Sequence, residues 1–235
     1  MLIERKKLKG RIIYIKGHRA SEKQARESYN SFIANGFNNI ELHQGTTPDK
    51  LKKDKIPFKI LKEGRLESFR KKNYKKFLTK LSCVYNHINF CHWVIEQNYA
   101  GIFSEHDSVC VKSFDKIEVQ DFCFLNFDTA FTRPCFNKKK FQKYKPTSKL
   151  GINSFPNDYP LKCKYSSIFK GSIMPPGTAG YILTPSGAQK ILNSVYLHGL
   201  EQSDFLINSY VLKLEYIYPS ICEYNPVNLQ TSHGL

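Results

Sequence analysis

The chain has 235 residues, a hydrophobic content of 41% and a formal net charge of +16, from 36 Lys and Arg against 20 Asp and Glu. The apolar content excludes a disordered chain, and no run approaches the roughly 20 apolar residues that a membrane-spanning helix needs. This length suits one core with elaborations, so we expect residues 1–235 to form a single domain.

The amino terminus and the cysteines bear on the compartment. Residues 1–7 carry charges without an apolar core, so we expect no secretory signal. The seven cysteines are scattered and include no C-x-x-C pair, which is typical of reduced thiols. We therefore expect a cytoplasmic protein, in the host cytoplasm if the source is viral.

Short apolar runs alternate with helical patterns in the first half of the chain. Strands are predicted at residues 11–16, 39–43, 100–104 and 121–126. Ser21 and Gln24 form a capping box that predicts a helix to about residue 34. Apolar residues spaced three and four apart predict a long helix over Tyr74–Gln97. A short helix is predicted at residues 113–120.

The second half continues the alternation after a long irregular stretch. Residues 132–160 lack periodicity, so we predict a long loop within a basic insertion at about residues 130–170. Residues 177–184 predict a strand, and Pro185 begins the next helix. Another helix is predicted to start near Glu201, and a last strand at residues 216–218. This order predicts an α/β fold with a mixed, mostly parallel sheet flanked by helices.

Two carboxylates follow the strand at residues 100–104. Glu105 and Asp107 flank His106, and carboxylates two positions apart at a strand end can both reach a hard divalent cation. Such a cation commonly neutralises a diphosphate, which points to nucleotide-sugar chemistry. The alternative is a solvated turn, because acidic residues often end strands.

Positive charge is concentrated in two segments. Residues 50–80 hold 13 basic residues, and residues 129–157 hold seven and no acidic residue. In the second segment Lys138, Lys139 and Lys140 precede Phe141 and Tyr144. Basic side chains contact phosphates and aromatic rings can stack on bases, so these five residues are predicted to bind a polyanionic acceptor. The alternative is a solubilising surface.

The order of the motifs resembles glycosyltransferase family 25, the lipooligosaccharide and collagen galactosyltransferase relatives. The similar segments are Ser82–His87 with Trp93, Glu105–Asp107, Gly177–Tyr181 with Gly187 and Ala188, and Asp204. The sequence departs from the family pattern at Ser82, at Asn86 and at His106, which replaces the middle acid of the metal motif. The resemblance implies a GT-A (Rossmann-like) fold and transfer of a sugar from a nucleotide sugar, here a UDP-sugar.

The same resemblance implies roles for individual residues. Asp107 and Glu105 would hold Mn²⁺ (or Mg²⁺), with His233 as a third ligand or simply a terminal histidine. Asp204, with Glu201 second, would be the catalytic base, or both would be acids that complement a helix dipole. The donor-binding residues would be Ile15, Gly45 and Glu105. His18 and Arg19, which directly follow the first strand, would also contact the nucleotide or would simply be polar loop residues. His87 and Trp93 would brace the helix beneath the site.

Three readings of the acceptor remain open. The favoured acceptor is a hydroxymethylated pyrimidine in phage-type DNA, because of the charge and the basic-aromatic segment. A lipooligosaccharide made at an anionic membrane face is the second. A catalytically degenerate module that binds polyanions is the third.

Overall fold

The computed structural model describes residues 1–53, 58–127, 143–144 and 147–225, without the side chains of residues 52 and 53. The strands are β1 (Leu2–Glu4), β2 (Lys9–Tyr14), β3 (Asn39–Gln44), β4 (Gly101–Glu105), β5 (Ser108–Cys110), β6 (Lys116–Glu118), β7 (Phe122–Phe124), β8 (Gly151–Ser154), β9 (Gly180–Leu183), β10 (Leu214–Tyr218) and β11 (Cys222–Tyr224). The helices are α1 (Arg19–Ala34), α2 (Pro48–Lys53), α3 (Arg65–Lys72), α4 (Tyr74–Gln97), α5 (Pro185–His198) and α6 (Ser203–Leu206). A short 3-10 helix follows β1 at Arg5–Lys7.

Seven strands form the central sheet, in the order β3-β2-β4-β9-β7-β10-β8. The pairs β3·β2, β2·β4 and β7·β10 are parallel, and the other three pairs are antiparallel. The α/β prediction is confirmed, but the sheet is evenly mixed and not mostly parallel. Two strands produce this mixture. β9 is antiparallel to its neighbours on both sides, β4 and β7, and β8 is antiparallel to β10 at the edge of the sheet.

Helices cover both faces of this sheet. On one face α4 and α5 bury Leu81, Val84 and Ile191 against inward-facing strand residues such as Phe103 and Tyr181. On the other face α1 buries residues that include Phe32 against the alternate positions of the same strands. The period of two along each strand therefore builds two cores, one on either side of the sheet.

Helix α4 has the bounds that its apolar spacing predicts. The Asn73 side chain accepts a hydrogen bond from the Lys76 N–H at 3.0 Å, which caps the first turn. At the other end Asn98 has a φ of 52°, the left-handed conformation common after a last helical turn. The helix runs back over the sheet before β4, so its first half lies near the carboxyl ends of the parallel strands.

The predicted helix at residues 113–120 is wrong. β6 forms there instead and pairs antiparallel with β1, matching Ile3 with Ile117. The reason is visible in the sequence, since Ile117 and Val119 are buried while Lys116 and Glu118, which alternate with them, are exposed. That alternation is the signature of a half-buried strand.

The predicted loop at residues 132–160 contains a strand that the sequence analysis missed. β8 lies at the edge of the sheet and pairs antiparallel with β10, matching Ile152 with Ile217. Its four residues show no alternation of apolar and polar side chains, so only its pairing with β10 identifies it as a strand. Much of the remaining insertion lies outside the described residues. Within the described part of the chain, no helix has the length and apolarity needed to cross a bilayer.

Candidate active site

The carboxyl ends of β2, β3 and β4 lie side by side, because the three strands are parallel neighbours. Tyr14 and Gln44 are paired at the ends of β2 and β3, and the Gly45 N–H donates to the Tyr14 carbonyl at 2.8 Å. β9 starts at the same edge, where the Glu105 N–H donates to the Ala179 carbonyl at 2.7 Å. Residues from four strands therefore meet at one edge of the sheet.

The loop after β2 is a tight turn into α1. The His18 N–H donates to the Ile15 carbonyl at 3.2 Å, and Gly17 has a φ of +82°, which only glycine adopts without strain. His18 is the N-cap, since its Nδ1 accepts from the Ser21 N–H at 3.2 Å. The predicted capping box is therefore wrong, because the Ser21 hydroxyl accepts from the Ile15 N–H instead. Ile15, His18 and Arg19 are exposed at this edge.

Gly45 holds the loop after β3 close to helix α4. A Cβ at this position would lie 2.9 Å from Ile13 Cγ2 and 3.2 Å from Asn86 Nδ2, so no larger side chain fits without a shift. The Thr46 N–H donates to Asn86 Oδ1 at 2.6 Å. The donor-binding role of Gly45 stays a prediction. What the structure shows is that the Gly45 backbone lies close to the side chains of Ile13 and Asn86.

Glu105 and Asp107 lie where β4 ends, and both are partly exposed. Burial and, to a lesser extent, the charge of Glu105 raise the pKa of the Cys83 thiol to about 11, so Glu105 faces the α4 side of the sheet. Asp107 Oδ1 is shielded from solvent and accepts no hydrogen bond from the described residues. A buried carboxylate oxygen without a donor is suited to a cation.

His106 is turned toward the loop after β2. Burial lowers the pKa of its imidazole, and the nearby His18 lowers it further. Asp107 and a hydrogen bond with the Ile13 backbone act in the opposite direction. His106 is therefore engaged by the end of β2, while the acids on either side of it remain at the edge.

A chain of buried polar groups connects the sheet to Asp204. The Tyr181 hydroxyl lies 2.8 Å from His87 Nδ1, and His87 Nε2 lies 3.5 Å from Thr178 Oγ1. The Thr178 hydroxyl donates to Asp204 Oδ1 at 3.2 Å, and the Gln202 amide donates to Oδ2 at 3.1 Å. Both oxygens of Asp204 are therefore positioned by neutral donors.

The protonation state of His87 and the carboxylate of Asp204 determine which group donates in each of these hydrogen bonds. Burial lowers the pKa of His87 to about 3, so the ring is neutral and carries one N–H. Because Thr178 donates to a carboxylate, its oxygen is free to accept from His87 Nε2–H. His87 Nδ1 then accepts from the Tyr181 hydroxyl. His87 thus orients Asp204 through Thr178, and its role in bracing the helix beneath the site stays a prediction.

Glu201, the second predicted base, is buried and holds helix α3. Its carboxylate accepts from the backbone N–H groups of Arg65 at 2.7 Å, Leu66 at 2.8 Å and Gln202 at 2.7 Å. The N-cap residue Gly64 has no side chain, and a Cβ there would overlap the Glu201 carboxylate. Burial raises the pKa of Glu201, and the three hydrogen bonds oppose that rise.

The predicted acceptor residues are only partly described. Lys138, Lys139, Lys140 and Phe141 lie outside the described residues, as does the predicted metal ligand His233. Tyr144 is 5% exposed and its hydroxyl donates to the Asp158 carbonyl at 2.9 Å. Stacking of Tyr144 on a base does not fit this placement, because the ring is packed against Tyr159 in the core.

Trp93 lies at the opposite end of the sheet from the candidate site. Its ring packs against Gly101 at the start of β4, and the Arg11 guanidinium lies 4.3 Å from the ring centroid. Trp93 therefore braces α4 at the amino end of β4.

Among the described residues, no group of three or more His, Cys, Asp or Glu side chains forms a ready metal cluster. The six cysteines described are free thiols.

Comparison with known proteins agrees with the motif order. The family model described as "Glycosyltransferase family 25 (LPS biosynthesis protein)" matches residues 20–207, most of the chain. The matched range includes Glu105, Asp107, Thr178 and Asp204. Among curated proteins, no sequence matches the chain.

Proposed function

Because this chain belongs to glycosyltransferase family 25 and is therefore a glycosyltransferase, we propose that its donor is a nucleotide-diphosphate sugar bound in a GT-A-type arrangement. The observation that supports the site is the meeting of β2, β3, β4 and β9 at one sheet edge. Ligands of open α/β sheets bind outside the carboxyl ends of parallel strands. Ile15, His18, Arg19 and Gly45 belong to the loops at that edge and would contact the nucleotide.

Asp107 and Glu105 would hold Mn²⁺ (or Mg²⁺) at this edge. The fit rests on Asp107 Oδ1, which is buried and lacks a hydrogen-bond donor among the described residues. Carboxylate oxygens are the ligands that such hard cations prefer. A bound cation would stabilise the charge that develops on the departing diphosphate. His106 is left out of this set, because it interacts with Ile13 and His18.

Asp204 would act as the base of a direct displacement. Its carboxylate would accept the proton of the acceptor hydroxyl while the new bond forms from that oxygen to the anomeric carbon. The bond from the anomeric carbon to the diphosphate oxygen would break, and the nucleoside diphosphate would leave. Thr178 and Gln202 would hold the carboxylate in place through this step.

The acceptor that we propose first is a lipooligosaccharide-type glycan. The description of the family as an LPS biosynthesis protein favours it. Hydroxymethylated DNA is the second candidate, supported by the net charge of +16 and the basic segment at residues 129–157. The burial of Tyr144 removes one of the two aromatic rings on which base stacking depended.

The test is transfer by the purified protein with a panel of UDP-sugars and Mn²⁺. Lipooligosaccharide and hydroxymethylated DNA would be offered separately, and products would be read by mass spectrometry. We expect a mass increase of one sugar on the glycan. Modification of the DNA alone would refute the first acceptor, and failure of every donor with both acceptors would refute the proposal.

A further inference from the structure

A cavity of about 290 Å³ lies beside Asp204. Its walls come from α3, the first half of α4, the segment at residues 161–177 and α6. None of its lining residues comes from the loops after β2, β3 or β4, where the nucleotide is proposed to bind. The cavity therefore adjoins the proposed base from a side that the donor-binding loops do not line.

Three cations line this cavity. The Arg65 guanidinium lies between two aromatic rings, 4.6 Å from the centroid of Phe69 and 4.9 Å from that of Tyr165. The Lys76 ammonium lies 5.2 Å from the Phe69 centroid. Aromatic faces hold a cation without neutralising it, so both charges remain available to a ligand.

Lys80 is the least expected of the three. It is 7% exposed, although it lines the cavity. It makes no ion pair or hydrogen bond with any residue in the described part of the chain. Its hydrocarbon stem is covered by neighbouring residues, while its ammonium stays accessible at the cavity, since it is not among the buried polar atoms without a partner. An ammonium that is held in the wall of the cavity and has no carboxylate paired with it is suited to an anionic ligand.

We propose that this cavity is the acceptor subsite and that it binds an anionic group of the acceptor, a phosphate or a carboxylate. The inference rests on the proposed role of Asp204 as the base. With the anion held by Lys80, Arg65 and Lys76, a neighbouring hydroxyl of the same acceptor is brought to the Asp204 carboxylate. The acceptor class is therefore a glycan that carries a negative charge close to the hydroxyl that is glycosylated.

The test measures anion binding without turnover. Inorganic phosphate is titrated into the protein by calorimetry at low salt, and UDP with Mn²⁺ is titrated separately. Lys80→Met keeps the length of the side chain and removes the charge. Lys75→Met is the matched control, since Lys75 is exposed on the same helix. Thermal melts check that both variants fold, and Lys76→Met provides a second variant at the cavity.

We expect saturable, salt-sensitive phosphate binding that Lys80→Met weakens by roughly ten-fold or more, the usual worth of a hydrogen bond to a charged group. Lys76→Met should weaken it less, and Lys75→Met should bind like the wild type. UDP affinity should be the same in all four proteins.

Two results would overturn the inference. Phosphate binding that is absent, or equal in wild type and Lys80→Met, would mean that the cavity does not select anions. Competition between UDP and phosphate, with weaker UDP binding by Lys80→Met, would assign the cations to the diphosphate of the donor. Failure of the transfer assay would leave a Lys80-dependent phosphate site intact, so the two proposals can fail separately.

Discussion

The two acids at the start of α6 are expected to respond in opposite ways to the same chemical change. Glu201→Gln and Asp204→Asn each replace a carboxylate with its amide. Glu201 accepts three backbone hydrogen bonds at 2.7–2.8 Å and is fully buried. An amide can keep one acceptor oxygen, but its NH₂ group then faces a backbone N–H donor at the start of α3.

The magnitude follows from those contacts. Hydrogen bonds to a charged group contribute about 1.5–3 kcal/mol each, and the amide loses at least one while avoiding the cost of a buried charge. We therefore expect Glu201→Gln to lower the free energy of unfolding by roughly 3 kcal/mol. For a chain of this size, that lowers Tm by about 10 °C. Asp204 is partly exposed and its partners are neutral donors, so Asp204→Asn should leave Tm nearly unchanged.

Turnover should show the reverse pattern. Asp204→Asn removes the proposed base, so kcat should fall by roughly 100-fold or more while UDP binding survives. Glu201→Gln, assayed well below its Tm, should retain most of its turnover. Urea unfolding, thermal melts and steady-state kinetics on both proteins test this. A Glu201→Gln variant that keeps its Tm and loses turnover, beside an active Asp204→Asn variant, would refute the assignment of the two acids.

Three further predictions concern the metal, a buried imidazole and a helix start. Asp107→Ala should abolish Mn²⁺-dependent transfer while the exposed control Asp115→Ala does not; equal activity in excess chelator would contradict this. His87 has a folded pKa of about 3, below its unfolded value near 6.5. As the pH decreases between those values the unfolded state binds this proton and the folded state does not, so the free energy of unfolding should fall by about 1.4 kcal/mol for each pH unit of decrease. Urea unfolding at pH 7.5 and 5 should show that His87→Gln lacks this part of the slope, and identical slopes would rule it out. Gly64→Ala should lower Tm because its Cβ overlaps the Glu201 carboxylate, and an unchanged melt would show that the cap can shift.

Patterns confined to one element could be predicted from the sequence. The bounds of α4 followed from apolar spacing over 24 residues, and the structure adds the Asn73 cap at its start. Elements defined by a distant partner were missed. β6 is three residues long and depends on β1 at the amino terminus, and β8 depends on β10 more than 60 residues later. Short strands carry too little periodicity to be recognised without the partner.

The candidate site divides in the same way. Glu105 and Asp107 are close in sequence, so their meeting at a strand end could be predicted. The structural role of Glu201 could not, because its partners lie 135 and 136 residues away at Leu66 and Arg65. Lys80 had a usable signal, since it lies among the core-facing positions of α4 between Phe77 and Val84. A single charge within an apolar stripe indicates a ligand or a partner that the helix alone does not supply.

The anchoring of α3 by Glu201 sets a limit on how this protein can diverge. Glu201 fastens one wall of the cavity, and Asp204, only three residues later, faces into that cavity. A single inserted or deleted residue between them would either release the wall or turn the acid away. Acceptor preference should therefore change by substitution at cavity positions such as Arg65, Lys76 and Tyr165, while the length of this short segment stays constant among active enzymes.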